Sequence, residues 1–283
     1  MSLPPRVGVL GGGRMGAGIA HAFLLAGCEV TVVERDAQAS ASARTRVLDS
    51  VDRSLARGAA GSRDLYNGML RTAVDTTAFP GCGLVVEAVP EDRELKLEAL
   101  RRAEASLTPD AVLASNTSSI SIDDLADALD RPARFLGLHF FNPVPASTLV
   151  EVVVGAATDP QFEAQARAWV TALGKTPIVV RDAPGFASSR LGVALALEAI
   201  RMVEGGVASP ADIDAAMELG YRHPAGPLRT TDIVGLDVRL GIAEELHAKL
   251  GDRFAPPALL RRMVAEGRLG RKSGRGFYEW SDE

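Results

Sequence analysis

"VGVLGGGRMGAGIAHAF", residues 7–23, runs from a short apolar stretch across three consecutive glycines into a segment whose apolar side chains recur at helical spacing. Gly11, Gly13 and Gly16 stand in G-x-G-x-x-G spacing, with Arg14 and Met15 between the last two. Met15, Ile19, Phe23 and Ala26 then fall on one helical face. In such a turn, Gly11 permits the tight bend and Gly13 lets backbone N–H groups approach a pyrophosphate. Gly16 lets the helix pack close to the strand, and the helix N-terminus faces the anion. The next apolar run, "EVTVVE" (29–34), ends in Glu34. It lies about 20 residues beyond the glycines, where a carboxylate accepts hydrogen bonds from ribose hydroxyls. A dinucleotide site is expected here. The carboxylate repels a 2′-phosphate, which favours NAD over NADP, while the adjacent Arg35 pulls the other way. FAD uses the same glycine fingerprint but needs more protein around its ring system than the chain offers.

Outward from this unit, "LVVEAV", "AVLASN", "FLGLHF", "LVEVVV" and "TPIVV" continue a series of strand-like runs. Helical patterns separate them, such as Leu97, Leu100, Ala103 and Leu107 on one face. This alternation predicts an α/β fold with a parallel sheet and crossover helices. The strand pattern stops after residue 181. The chain therefore reads as a Rossmann-type dinucleotide-binding domain over residues 1–181, followed by an all-helical domain over 182–283 that serves substrate and dimerisation. Residues 191–203, "LGVALALEAIRMV", are apolar on nearly every side. A buried helix within one subunit explains that pattern nearly as well as a second subunit does, and a homodimer is expected. The following helix starts with Ser209 as N-cap, Pro210 at N1 and Asp212 at N3, and should end near Gly220.

The 283 residues carry a net charge of −5 with acids and bases interspersed, and no basic run interleaved with aromatics tracks nucleic acid. No apolar run reaches membrane-spanning length, and the apolar stretch near the N-terminus is too short for a secretory signal, so a cytoplasmic location is expected. Cys28 and Cys82 read as small buried residues. The four histidines show no metal-ligand spacing, and no metal site is expected.

A dehydrogenase needs a group to take a proton when hydride leaves a carbinol, and histidine is neutral and available near pH 7. "HFFNPVPASTLVEVV", residues 139–153, supplies one: His139 ends an apolar run, at the strand end where α/β sheets gather ligands. Glu151, past a proline-bearing turn, can return to one ring nitrogen, fix its tautomer and stabilise the imidazolium. A histidine satisfied in the core and a glutamate at a strand edge explain the same pattern about as well.

Taken together, "GGGRMGAGIAHAF", "VVEAVPED", "ASNTSSISI", "GLHFFNPVP…LVEVV", "DAPGF" and "GRLGRKSGRGFYEW" resemble the L-3-hydroxyacyl-CoA dehydrogenases, in particular the short-chain 3-hydroxybutyryl-CoA dehydrogenases. The resemblance covers almost the whole chain. It implies NAD-dependent, reversible oxidation of a 3-hydroxyacyl thioester to the 3-oxoacyl thioester. It makes His139 the general base, Glu151 its orienting carboxylate and Ser118 a substrate-binding hydroxyl. Its cofactor positions fall on Glu91, Lys96, Asn116, Asn142 and Lys272, beside those of the glycine turn. Without the resemblance, Glu91 and Lys96 pass as ordinary surface charge, Lys272 as a tail cation, and Ser118 as an ST-turn or helix cap. Ser54 matches a family serine near the CoA phosphates, within a group formed by Arg44, Arg46, Arg53, Arg57 and Arg63, while the family's lysine seven positions on is here Gly61.

The family commonly reads x-x-N-R after "PGF", its asparagine near the substrate and the histidine. This chain reads "PGFASSR", with Ser189 at that position, which predicts a shifted substrate preference. Three alternatives remain open: an acyl-carrier-protein-bound hydroxyacyl substrate, a free hydroxy or sugar acid, and a non-catalytic NAD-binding protein.

Overall fold

Strand β1 (Arg6–Leu10) buries Val7, Val9 and Leu10, and the chain turns through the glycines into α1 (Arg14–Leu25). The computed structural model describes residues 2–280, and the chain divides into two units, Met1–Ala183 and Pro184–Glu283. In the first unit β1 is followed by β2 (Glu29–Val33), β3 (Leu70–Ala73), β4 (Leu84–Glu87), β5 (Val112–Ser115), β6 (Phe135–Phe140), β7 (Leu149–Val154) and β8 (Thr176–Arg181). The strands hydrogen-bond in the order β3-β2-β1-β4-β5-β6-β7-β8. Helices α2 (Ala37–Leu55), α3 (Arg63–Met69), α4 (Arg93–Ala105), α5 (Ile122–Ala126) and α6 (Pro160–Ala172) lie in the connections. Ile19 and Phe23 of α1 and Val47 and Val51 of α2 share one core with Val9, Val32 and Val86 of the strands. Each such side chain contributes roughly 1.5–3 kcal/mol on burial. The order reverses between β1 and β4, and in doubly wound sheets the crevice outside the strand ends at that point takes the ligand.

Two sheet features depart from the sequence reading. The sheet is parallel from β3 through β6, but β7 pairs antiparallel with β6, and β8 follows β7 in parallel. Only residues 141–148 join β6 to β7, whereas a parallel return needs a crossover of about a dozen residues or more. The edge strand β3, "LRTA", was not expected: Leu70 is its one buried residue, so it shows no apolar run.

In the second unit the named elements are helices: α7 (Ser188–Glu204), α8 (Pro210–Tyr221), α9 (Pro227–Val234), α10 (Leu236–Leu250) and α11 (Ala258–Ala265). Their core gathers Val193, Leu197, Ile200, Leu236, Leu246, Leu260 and Met263. Helix α7 is amphipathic, contrary to the reading as apolar all round. It buries Val193, Ala196, Leu197, Ala199 and Ile200 and leaves Leu191 71% exposed. Ser209 caps α8 by accepting from the Asp212 N–H at 3.2 Å, with Pro210 behind it. The exit lies at Arg222, whose φ of +60° is left-handed, and Gly220 stays inside the helix. Asp232, fully buried, pins the C-terminal segment by accepting from the backbone N–H groups of Phe277 and Tyr278 and from Trp280 Nε1, at 2.9, 3.0 and 2.8 Å. Cys28 and Cys82 are buried free thiols, and burial pushes both up to about 11. Among the described residues, no helix is long and apolar enough to cross a membrane.

Candidate active site: a dinucleotide turn and a histidine–glutamate pair

The β1–α1 turn has one strained position and one open one. Gly11 has φ of +94°, and a Cβ there would lie 2.9 Å from the Ala88 carbonyl carbon; a Cβ on Gly16 would overlap the Gly11 carbonyl oxygen. A Cβ on Gly13 would meet nothing within 4 Å, so the turn leaves room above the helix N-terminus. Helix α1 has no side-chain cap and no acid in its first turn, which keeps its positive end available to an anion. Glu34, at the end of β2, accepts from the Gly12 N–H at 2.8 Å through Oε1 and from the Arg35 N–H at 3.1 Å through Oε2. A carboxylate has about four acceptor sites, so capacity for ribose hydroxyls remains. Arg35 itself turns to Asp36 at 3.1 Å. Arg14 is exposed and Met15 half-buried in the first turn of α1. The donor-lined opening and the acid beside it fit a dinucleotide.

His139 and Glu151 are register partners across the antiparallel β6–β7 pair. Both are buried, and His139 Nδ1 lies 2.6 Å from Glu151 Oε2. The Phe141 ring packs on the imidazole at a centroid distance of 4.4 Å. The short return after β6 therefore does two things: it reverses the strand, and it sets Glu151 directly opposite His139. Asn116, past the end of β5, accepts from the Phe140 N–H at 2.9 Å and ties that strand end to the histidine's neighbour. Asn142 is exposed at the start of the return.

A second buried cluster fills the ends of β4 and β5. Lys96 is only 1% exposed, not the surface cation that its sequence suggested. Its Nζ donates to Glu87 Oε1 at 2.7 Å and to the Val89 carbonyl at 3.2 Å, and lies 3.3 Å from Glu91 Oε2. Glu87 also accepts from Ser115 Oγ and the Val89 N–H at 2.5 and 2.7 Å. Burial pushes the Glu87 carboxyl up against the pull of the Lys96 ammonium. Glu91 in turn holds the next loop, with Oε1 accepting from Thr117 Oγ1, the Ser118 N–H and the Ser119 N–H at 2.6, 2.8 and 3.0 Å. Burial alone would raise its pKa, but the Lys96 ammonium and the Thr117 and Ser118 bonds outweigh this and hold it below the usual carboxylate range. Ser118 Oγ lies 3.2 Å from the same oxygen. The cap of α5 is Ser121, so Ser118 is not a helix cap.

The remaining expected residues are carried by other elements. Ser54, near the end of α2, meets His21 Nε2 at 2.9 Å. Arg57 is exposed and donates to the Arg53 carbonyl at 3.0 Å, while Arg44 and Arg63 are engaged by Asn67 and Asp52. In the helical unit, Lys272 lies 2.6 Å from Asp237, and Ser189 is half-buried in the first turn of α7. Two buried residues, Glu87 and His21, enter these contacts without having been expected from sequence. Glu87 did carry a signal, as a lone acid in the apolar run "LVVEAV".

A turn shaped for a pyrophosphate, an acid ending the neighbouring strand and a strand order that reverses beside them define a dinucleotide-binding protein of the doubly wound type. Residues 6–183 match the 3-hydroxyacyl-CoA dehydrogenase NAD binding domain, and residues 185–280 match the C-terminal domain of the same enzymes. The chain belongs to the 3-hydroxyacyl-CoA dehydrogenase family and is an NAD-dependent enzyme of that class. It is 44% identical to a Mycobacterium tuberculosis 3-hydroxybutyryl-CoA dehydrogenase over 280 residues, 97% of this chain and 98% of the relative. Among solved structures it is similar to M. tuberculosis FadB2, with a TM-score of 0.93 and 44% identity over 99% of this chain and 100% of the other. The (S)-3-hydroxybutyryl-CoA dehydrogenase PaaH1 from Ralstonia eutropha matches with a TM-score of 0.94 and 37% identity over 98% and 99%.

Proposed function

We propose that the protein interconverts a short-chain 3-hydroxyacyl-CoA, of the size of 3-hydroxybutyryl-CoA, with its 3-oxoacyl-CoA, using His139 as general base and Glu151 as its orienting carboxylate. The 2.6 Å contact between their side chains is the observation that carries the reading. With Nδ1–H donated to Glu151, the lone pair lies on Nε2, which takes the carbinol proton. The carboxylate then stabilises the imidazolium. Bound NAD supplies the hydride acceptor. Ser118 Oγ holds the substrate oxygen, and as a hydroxyl it donates to a ketone and accepts from an alcohol. Gly11, Gly13, Arg14, Met15, Gly16, Glu34, Glu91, Asn116, Asn142 and Lys272 hold the cofactor, with Lys96 acting through Glu91. Ser54 and Arg57 meet the CoA nucleotide, and Ser189 takes the place of the family asparagine. The protein acts in the cytoplasm as a homodimer; the exposed Leu219 and Tyr221 of α8 support the association.

One observation favours a carrier-protein thioester as second substrate. At Gly61, where the family has a lysine, φ is +97° and the Tyr66 ring packs against the missing Cβ at 3.0 Å, so no cation stands there for the adenosine phosphates. The test is NADH consumption, followed by absorbance, with acetoacetyl-CoA, acetoacetyl carrier protein and free acetoacetate. Turnover of the CoA thioester well above the free acid is expected. No consumption with either thioester, or equal turnover of the free acid, would overturn the reading.

A further inference from the structure

Among the described residues, buried carboxylates and ammonium groups come with partners. Glu87 has Lys96, Glu104 accepts from the Asp130 and Arg131 N–H groups, Asp214 from the Leu228 and Arg229 N–H groups, and Asp232 from the tail. Arg239 on α10 is the exception. It is 9% exposed, its Nε is buried with no hydrogen-bond partner, burial lowers its pKa, and no ion pair joins it to an acid among the described residues. A buried guanidinium with no counter-charge is unfavourable by several kcal/mol unless something else satisfies it. The fold makes room for it all the same. Its guanidinium lies over Gly192 of α7, with Nη1 3.3 Å and Nη2 3.8 Å from where a Cβ would stand. Glycine in a helix interior is unfavourable by roughly 0.5–1 kcal/mol relative to alanine, so the position favours the arginine over the helix.

Gly192 is three residues beyond Ser189, and residues so spaced lie on one helix face roughly 5–6 Å apart. We infer that Arg239 is a specificity-determining residue that binds a carboxylate at the far end of the acyl chain, so that the preferred substrate is a 3-hydroxyacyl-CoA derived from a dicarboxylic acid. This rests on the reading above that Ser189 borders the reacting end of the substrate. A carbinol held beside Ser189 and a carboxylate held by the guanidinium over Gly192 would then sit about one helical turn apart along α7, a spacing that a short acyl chain covers. The planar fork of the guanidinium suits two-point capture of a carboxylate, and its desolvated setting strengthens that bond. The redox step itself is unchanged.

The experiment compares kcat/KM of the intact enzyme for 3-oxoadipyl-CoA and the uncharged, length-matched 3-oxohexanoyl-CoA with NADH, in wild type and in Arg239→Met and Arg239→Gln. Wild type should prefer the carboxylate-ended substrate by about tenfold or more. Either variant should lose at least tenfold more on it than on the neutral one, mainly through KM. Wild-type preference for the neutral substrate, or equal loss on both in the variants, would overturn the assignment. Should neither variant fold, wild-type preference for the neutral substrate still overturns the assignment, and Arg239→Lys, which keeps the charge but not the fork, supplies the variant comparison. Turnover of both substrates without preference rejects only the role of Arg239, whereas no turnover of any thioester rejects the parent reading as well.

Discussion

At the scale of single residues, Gly13 and Gly16 separate space left for a ligand from space needed by the fold. A Cβ on Gly16 overlaps the Gly11 carbonyl, whereas one on Gly13, where φ is −62°, touches nothing. Gly16→Ala is therefore expected to destabilise by about 1–3 kcal/mol, lowering the melting temperature by several degrees. Gly13→Ala should melt within about 2 °C of wild type but bind NADH at least tenfold more weakly, because its methyl group occupies the pyrophosphate's place. Thermal melts with NADH fluorescence titrations check both. Ser189→Asn restores a longer arm with two donors and should change the ranking of 3-oxoacyl-CoA chain lengths by kcat/KM. An unchanged ranking would show that the position does not tune the substrate. At this scale Glu34, His139 and Glu151 were legible because each is a polar residue placed in or at the end of an apolar run. Glu87 has the same signature but was not singled out. Its partner Lys96 lies on another element, and spacing alone does not disclose that contact.

At the scale of elements, the link after β6 decides whether His139 and Glu151 meet. A crossover there would have carried Glu151 away from His139; the short return makes them register partners. The proline-bearing turn was visible in sequence, but the strand reversal that it imposes was not deduced from it. β3 was illegible for a different reason: an edge strand need not be apolar. The Glu87–Lys96 pair joins β4 to α4 in the interior, so Lys96→Met alone leaves a buried acid without its cation and should destabilise by about 3–5 kcal/mol in urea unfolding. Combining it with Glu87→Gln should recover at least half of that loss. An additive loss would mean that the two residues do not act as a pair.

At the scale of the whole molecule, the division into a sheet unit and a helical unit was legible because the period of the apolar pattern changes near residue 181. Stability against acid depends on a residue that the sequence did not mark. His21 is 2% exposed and held at about 4 instead of 6.5, first by burial and then by Arg53, Lys175 and Arg57. Above pH 6.5 it is neutral in both folded and unfolded chains. Between 6.5 and about 4 only the unfolded chain takes up the proton, so stability falls as pH falls, by roughly 3 kcal/mol in total. His21→Gln should flatten this limb of the stability–pH curve by about one proton.

The proposed proton transfer turns on the carboxylate opposite His139, and Glu151→Gln removes its charge while keeping its size. The most direct measurement is single-turnover oxidation of 3-hydroxybutyryl-CoA by this variant, alongside its Kd for NADH. Loss of the orienting charge should slow the chemical step by about 10²–10⁴-fold, with NADH affinity within twofold of wild type. A rate within a few-fold of wild type, in a variant that binds NADH normally, would contradict the role given to the pair.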